Sequence, residues 1–261
     1  MVTMLLMLNG SLQGGLYFVI PQIHAPKPLV KSSLRERLRL ANCAIYLILN
    51  SYRYFTFAER CVRTEEFDKS RQLSRIAEDP SGQVLAITGL GDIGLAIAQR
   101  AIAFGMRIHY FSRTRKPQSE AILGAAITYH STIDSILRIA DCICLACPYK
   151  AETHHLLNSR AFNLMKPGVR IVNIARGPLI DEEALVAAID CGRVIGVGLD
   201  VHENEPHVHS RLRENYMVTL LPHIGVCSKA SWRNFESNCM RNLEAFFYGD
   251  GKAVTPVSGK K

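Results

Sequence analysis

From residue 84 onward the chain alternates strand-like and helix-like stretches in regular succession, and this alternation constrains the fold more than any other feature. Strands are expected at 84–88, 107–111, 126–129, 141–146, 169–174 and 194–199, with a further one near 217–221. Helices are expected at 92–104, 133–140, 181–191 and 228–247. Strands separated by helices imply a parallel sheet, because a helical crossover carries the chain back to the end of the sheet where the previous strand began. The expected architecture is an α/β fold with an open, doubly wound parallel sheet. No internal repeat or low-complexity tract breaks the pattern.

The first strand, "VLAIT", runs into Gly89, Gly91 and Gly94, spaced G-x-G-x-x-G, and from there into the helix. Each glycine has a physical task in that setting. The first makes the tight turn, the second lets a pyrophosphate approach the backbone, and the third lets helix and strand pack closely. The helix N-terminus then faces the phosphates. A glycine-rich turn with no ligand is the bland alternative.

Seventeen residues separate Gly94 from Ser112, where the second strand, "RIHYF", runs out. A dinucleotide fold that prefers NAD(H) ends this strand in an acid, which accepts from the ribose hydroxyls and repels a 2′-phosphate. Here the position is Ser112, followed by Arg113, Arg115 and Lys116. The serine removes the repulsion, and Arg113 can set a planar charged fork on a phosphate. NADP(H) is therefore expected in preference to NAD(H). The alternative is a solvated basic turn after an edge strand.

The bulk numbers exclude some classes. A formal charge of +8 is moderate and spread along the chain, which favours an anionic small ligand over nucleic acid. Eight cysteines could suggest disulfides, but several sit in apolar runs such as "DCICLAC", as buried thiols in a reducing compartment do. Cys142, Cys144 and Cys147 superficially suggest zinc, yet no ligand-spaced fourth residue follows, and no metal is expected. The apolar start, "MVTMLLMLNGSLQGGLYFVIP", is broken by Asn9-Gly10 and Gly14-Gly15, so neither a membrane span nor a signal peptide is expected and a cytoplasmic location is. Before the sheet, "SLRERLRLANCAIYLILNSYRYFTFAERCVR" opens with Ser33 and Glu36 at capping-box spacing and continues without Gly or Pro. One long helix over about 33–63 is expected, and "EDPSGQ" breaks the chain after it.

The segment "VNIARGPLIDEEALVAAIDCGRVIGVGLDVHENEP", followed by "LLPHIG", is more specific than the glycine turn. Together with "LACPYKAETHHLLN" and the glycine motif, it resembles the D-isomer-specific 2-hydroxyacid dehydrogenase family, and within it the NADPH-dependent glyoxylate/hydroxypyruvate reductases. The likeness runs from about Ala41 to Val257. It implies that Arg176 holds the substrate carboxylate and polarises the 2-oxo group. It implies that His223 donates a proton to the carbonyl oxygen and that Glu205 pairs with the imidazole. Pro148 is placed beside the nicotinamide ribose, Ile174 and Ala175 near the nicotinamide, and Asp200 as an acceptor for its carboxamide. Asp92, Ile93, Thr114 and Gly225 complete the expected cofactor set. Taken singly, Arg176 could be a surface ion-pair arginine, His223 a loop histidine and Glu205 a solvated acid, with Glu203, His202, His207 and His209 as a decoy metal cluster. His154 and His155 read as structural, Asp181 and Asp134 as helix caps, and His202 as a substitution of little consequence.

The resemblance also implies a second domain ahead of the nucleotide domain, and here the glycine turn comes too early for a full one. The expected division is 1–32 unassigned, 33–77 a linking and dimerising helix, 78–232 the NAD(P)-binding domain, and 233–261 a helix and tail returning to an incomplete second domain. "GSLQGGLYF" is no convincing substitute for the substrate-binding loop, and "KPLVKSSLRERL" replaces the usual approach to the long helix. That helix is expected to leave apolar surface for residues 1–30 or a partner chain to cover. The expected activity is reduction of a small 2-oxo acid, with a homodimer as the assembly. A nucleotide-binding member that turns nothing over, and a mis-joined product without a stable fold, remain as alternatives.

Overall fold

The computed structural model describes residues 34–249, and the elements run in the order the alternation requires. They are α1 (Leu34–Arg53), α2 (Phe55–Arg63), α3 (Phe67–Arg71), β1 (Val84–Thr88), α4 (Asp92–Ala103), β2 (Arg107–Phe111), α5 (Pro117–Leu123), β3 (Ile127–His130), α6 (Ile133–Leu137) and β4 (Cys142–Leu145). There follow α7 (Ser159–Leu164), β5 (Val169–Asn173), α8 (Glu182–Asp190), β6 (Val194–Leu199), α9 (Ser210–Glu214), β7 (Val218–Leu220) and α10 (Lys229–Tyr248). Residues 1–32 and the capping box begun by Ser33 lie outside the described residues.

The seven strands form one parallel sheet in the order β3-β2-β1-β4-β5-β6-β7. From β1 the chain winds outward to β2 and β3, then returns to lay β4 on the other side of β1. The carboxyl ends of β1 and β4 therefore flank the point where the winding reverses, which is where open α/β sheets hold ligands. Side chains alternate between two cores. Leu85 and Ile87 of β1 face one with Cys142 and Cys144 of β4 and residues of α1 and α4. Ala86, Ile143 and Leu145 face the other, with Phe162 of α7 and Leu185 of α8.

The helix expected over 33–63 is interrupted. Tyr54 takes a left-handed conformation, with φ 53°, and separates α1 from α2. Tyr54 is 2% exposed and its hydroxyl donates to the Ile195 carbonyl at 2.9 Å. Asn50 Oδ1 accepts from the Thr56 N–H at 2.8 Å, turning the new helix off the old one. A tertiary anchor thus overrides a locally unbroken helical sequence.

One side of this stretch is packed on the sheet, while Leu38, Tyr46, Phe55 and Val62 on it stay exposed among the described residues, as expected of a helix that leaves apolar surface to be covered. Ala41, Ala44, Leu47, Ile48 and Tyr52 are buried against the sheet and α4. The approach is close because β6 offers glycines beneath it. A Cβ on Gly198 would lie 2.8 Å from that of Leu47, and one on Gly196 would lie 2.3 Å from the Ser51 carbonyl oxygen. Arg170 of β5, 2% exposed, donates from Nε to the Ser51 carbonyl and from Nη2 to Glu78, with its guanidinium 3.9 Å from the Tyr52 ring centroid.

Asp181 caps α8 as expected, accepting from the Ala184 N–H at 3.0 Å. Asp134 does not cap α6. Thr132 does, and Asp134 sits in the first turn, where it accepts both guanidinium arms of Arg160.

Residues 32–237 form one compact unit, and residues 238–249 are the described part of another. The α10 residues of that second unit include the exposed side chains of Met240, Leu243, Phe246, Phe247 and Tyr248. No described helix is long and apolar enough to cross a membrane.

Candidate active site

The glycine turn is shaped by close contacts on two of its three positions and by open space on the third. Gly89 has φ +94°, and its N–H donates to the Phe111 carbonyl at 2.7 Å. A Cβ there would lie 3.0 Å from the Ala146 oxygen and Cys147 Cα, so the turn is wedged between the ends of β2 and β4. A Cβ on Gly94 would lie 2.1 Å from the Gly89 oxygen. Around Gly91 there is nothing within 4 Å, and this residue caps α4 without any side-chain hydrogen bond. Asp92 opens the helix and half-buried Ile93 packs on the core. The residues fit a dinucleotide: a bare backbone, an open approach, and a helix start with no side chain in the way.

At the end of β2 the basic residues separate into two roles. The Ser112 hydroxyl donates to the Thr114 carbonyl at 2.6 Å and tightens the turn. Arg113 is exposed, and its guanidinium has no hydrogen bond or ion pair with any described residue. Arg115 is engaged, donating to both oxygens of Glu120 at 2.9 and 3.0 Å and lying over the Tyr129 ring. The hydroxyl of buried Tyr110 also donates to Glu120 and accepts from the Lys116 N–H. Burial, and then that carboxylate, push the Tyr110 phenol up to about 12.

The expected catalytic side chains follow the carboxyl ends of β5, β6 and β7. Buried Asn173 ends β5 and folds the next turn onto itself. Its Oδ1 accepts from the Ala175 N–H at 3.0 Å, and its Nδ2 donates to the Arg176 carbonyl at 2.9 Å. Arg176 is thereby held outward, exposed, with Nη1 donating to the Ala175 oxygen. Ile174 is buried beneath it and Ala175 is half-buried. Pro148 follows β4, its carbonyl accepting from the Thr153 hydroxyl.

Asp200 follows β6, only 1% exposed. Its two oxygens accept from the backbone N–H groups of Ile224 at 2.8 Å and Gly225 at 2.9 Å. Burial raises its pKa above the usual aspartate value, against the pull of those two N–H donors and of His223. Gly225 packs closely here: a Cβ would lie 2.5 Å from Asp200 Oδ2 and 2.6 Å from Leu40 Cδ1, so those side chains would have to shift. Its observed contacts thus hold the loop that carries His223.

His223 Nδ1 donates to Glu205 Oε2 at 2.9 Å, and Glu205 Oε1 accepts from the His202 N–H at 3.0 Å. Burial works against the Glu205 charge. The bonds from His223 and the His202 N–H, with the two imidazoles nearby, outweigh it and hold the carboxyl below the ordinary glutamate value. With Nδ1 committed to the carboxylate, Nε2 is left to exchange a proton. Arg176 joins this pair through its neighbour: a Cβ on Gly177 would lie 1.8 Å from the His202 oxygen, so the Arg176 turn is pressed against the residue that holds Glu205.

The supposed metal cluster is pulled apart. Glu203 pairs with His155 Nε2 and accepts from the Glu182 N–H, while His209 pairs with Glu183 at 3.0 Å. His154 stacks on His155 at 3.9 Å. Sequence reasoning missed Asn173, Gly177 and Glu120. An asparagine ending a strand just before Arg176 was the one available signal. His202, expected to matter little, is 6% exposed and bonded at both its backbone and its ring.

A family model described as "D-isomer specific 2-hydroxyacid dehydrogenase, NAD binding domain" matches residues 45–225. The chain belongs to this family. Among curated proteins, a glyoxylate reductase of Thermococcus onnurineus is 41% identical over 214 residues, covering 80% of this chain and 63% of the relative. The 4-methyl-2-oxopentanoate reductase A of Aspergillus oryzae is 40% identical over 222 residues, covering 85% and 65%. The chain spans just under two thirds of the length of these relatives. Among solved structures, the holo D-mandelate dehydrogenase of Rhodotorula graminis superposes with a TM-score of 0.82 at 35% identity, covering 89% of this chain and 68% of that one. An NADPH-dependent glyoxylate/hydroxypyruvate reductase of Sinorhizobium meliloti, in complex with NADP and malonate, gives 0.75 at 33%, covering 87% and 69%. The parallel sheet is thus the Rossmann-like sheet of this dehydrogenase family.

Proposed function

We propose that this chain is an NADP(H)-dependent reductase of small 2-oxo acids of the glyoxylate or hydroxypyruvate kind, cytoplasmic and paired with a second copy of itself. The observation that carries the reading is the Glu205–His223 pair, joined to the Arg176 turn through Gly177 and His202, at the carboxyl edge of a sheet with a bare glycine crevice. The names of the similar proteins support the substrate class.

A reduced nicotinamide, when bound, supplies hydride to the 2-oxo carbon. Arg176, exposed and without an acid partner among the described residues, takes the substrate carboxylate and draws charge onto the carbonyl oxygen. His223 gives that oxygen a proton from Nε2. Glu205 fixes the other nitrogen as the donor toward itself, which leaves Nε2 to carry the proton. Asp200 and Gly225 hold the His223 loop, with Asp200 also the acceptor proposed for the carboxamide. Gly89, Gly91, Asp92, Ile93 and Gly94 frame the pyrophosphate, Ser112, Arg113 and Thr114 the 2′-phosphate, and Pro148, Ile174 and Ala175 the nicotinamide side. Arg115, tied to Glu120, contributes positive potential and stiffens the turn.

The test is a titration of the purified protein with NADPH and NADH by fluorescence, followed by glyoxylate and hydroxypyruvate. Tighter binding of NADPH and loss of reduced-nicotinamide absorbance are expected. Arg176→Ala and His223→Ala should each lower kcat/KM at least about a hundredfold while NADPH still binds. Turnover that survives either substitution overturns the assignment.

A further inference from the structure

His202 carries a buried nitrogen that no described residue satisfies. The residue is 6% exposed, Nε2 lies 2.9 Å from the Leu221 carbonyl oxygen, and Nδ1 is buried with no hydrogen-bond partner among the described residues. A carbonyl only accepts, so Nε2 bears a hydrogen, which in the singly protonated ring makes Nδ1 the bare nitrogen. A phenyl ring fills similar volume without the cost of stripping water from that nitrogen. What the imidazole adds over a phenyl is the bond to Leu221.

That bond falls at a strained place. His223 has φ 56°, a left-handed conformation uncommon among non-glycine residues and held here by its surroundings. Downstream of it, Asp200 holds the N–H groups of Ile224 and Gly225. Upstream, the Leu221 backbone is held at both of its groups: its N–H donates to the Leu199 carbonyl at 2.8 Å, and its oxygen accepts from His202. The same residue grips Glu205 through its backbone N–H at 3.0 Å. One residue therefore touches both partners of the pair, the carboxylate directly and the histidine through the chain that leads into it.

We infer that His202 is a positioning residue: its Nε2–H holds the Leu221 carbonyl and thereby keeps His223 in its left-handed conformation on Glu205. Its effect on turnover rests on the reading that His223 exchanges the substrate proton; the positioning itself does not.

The experiment reads the two separately. In the wild-type full chain, ¹⁵N shifts of His202 should show hydrogen on Nε2, and hydrogen on Nδ1 instead overturns the inference outright. The Glu205 carboxyl is then titrated by ¹³C NMR without cofactor. Glu205 faces His223 and His202, with Asp200 nearby, and its midpoint lies below the ordinary glutamate value. In His202→Phe it should rise towards the value found in His223→Ala, because the backbone donor remains while the His223 contact loosens. His202→Gln, whose amide nitrogen reaches the Nε2 position, should stay with the wild type. A wild-type midpoint in H202F overturns the proposal, and so does a Gln variant that behaves as H202F does. If H202F does not fold, His202→Asn replaces it, since its shorter amide reaches only the Nδ1 position. In turnover, kcat with glyoxylate should fall about tenfold in H202F at unchanged NADPH affinity and recover in H202Q. A wild type that shows the titration pattern and no turnover refutes the proposed function while leaving the positioning intact.

Discussion

At the scale of single residues, the basic turn after β2 gives the sharpest prediction. Three cations follow one another there, but the structure divides their work. Arg115 is locked by Glu120 and the Tyr129 ring, whereas Arg113 is exposed and unengaged among the described residues. A guanidinium bound to a phosphate through charged hydrogen bonds contributes about 1.5–3 kcal/mol. Ser112→Asp combined with Arg113→Ala should therefore lower the ratio of NADPH to NADH affinity at least about tenfold. Arg115→Ala alone should change that ratio less and lower the melting temperature instead. Calorimetric titration checks both, and an unchanged ratio in the double variant refutes the 2′-phosphate reading. The position of the turn was legible in the spacing from Gly94. The division of labour was not, because Glu120 enters from α5, an element with no marked periodicity of its own.

At the scale of elements, two glycines that look alike in the sequence are held for opposite reasons. Gly177 lies against backbone, where a Cβ would come within 1.8 Å of the His202 oxygen and 2.5 Å of the Glu203 nitrogen. Gly91 faces open space and has an extended backbone, with φ −80°. Gly177→Ala must push the β5 turn away from the loop holding Glu205, and should cost about 1–3 kcal/mol of stability and most of the turnover. Gly91→Ala should cost under about 1 kcal/mol, the scale of a helix cap, and weaken dinucleotide binding. Thermal melts and NADPH titrations of both variants separate the two cases; equal losses of stability would refute the distinction. Of the described strands, β1, β4, β5 and β6 were legible because buried parallel strands write their apolar runs into the chain. The left-handed break at Tyr54 was not, since its cause is the Ile195 carbonyl, 141 positions away. The short helices α5, α7 and α9 were not, since five to seven residues are too few to display a helical period.

At the scale of the molecule, α1 belongs to the sheet. Residues 32–237 form one compact unit that includes it. The helix buries Ala41, Ala44, Leu47, Ile48 and Tyr52 over β5 and β6, and the glycines of β6 leave a groove that no loop would fill. Burial of such side chains stabilises on the order of 10 kcal/mol before chain entropy, comparable with the whole stability of a domain. Arg170 raises the stakes. Its buried guanidinium depends on the Ser51 carbonyl, the Tyr52 ring and Glu78, and the first two disappear with the helix. A buried charge that loses its partners destabilises by several kcal/mol. A chain beginning at residue 78 should therefore lack a cooperative thermal transition and bind a hydrophobic dye, while one beginning at residue 32 melts cooperatively. Replacing Arg170 by Met in the chain that begins at 78 should recover part of the loss, because it removes the stranded charge and keeps the bulk. If residues 78–249 melt cooperatively without either aid, then the sheet closes without α1, and the nucleotide-binding domain is the smaller unit that the sequence suggests.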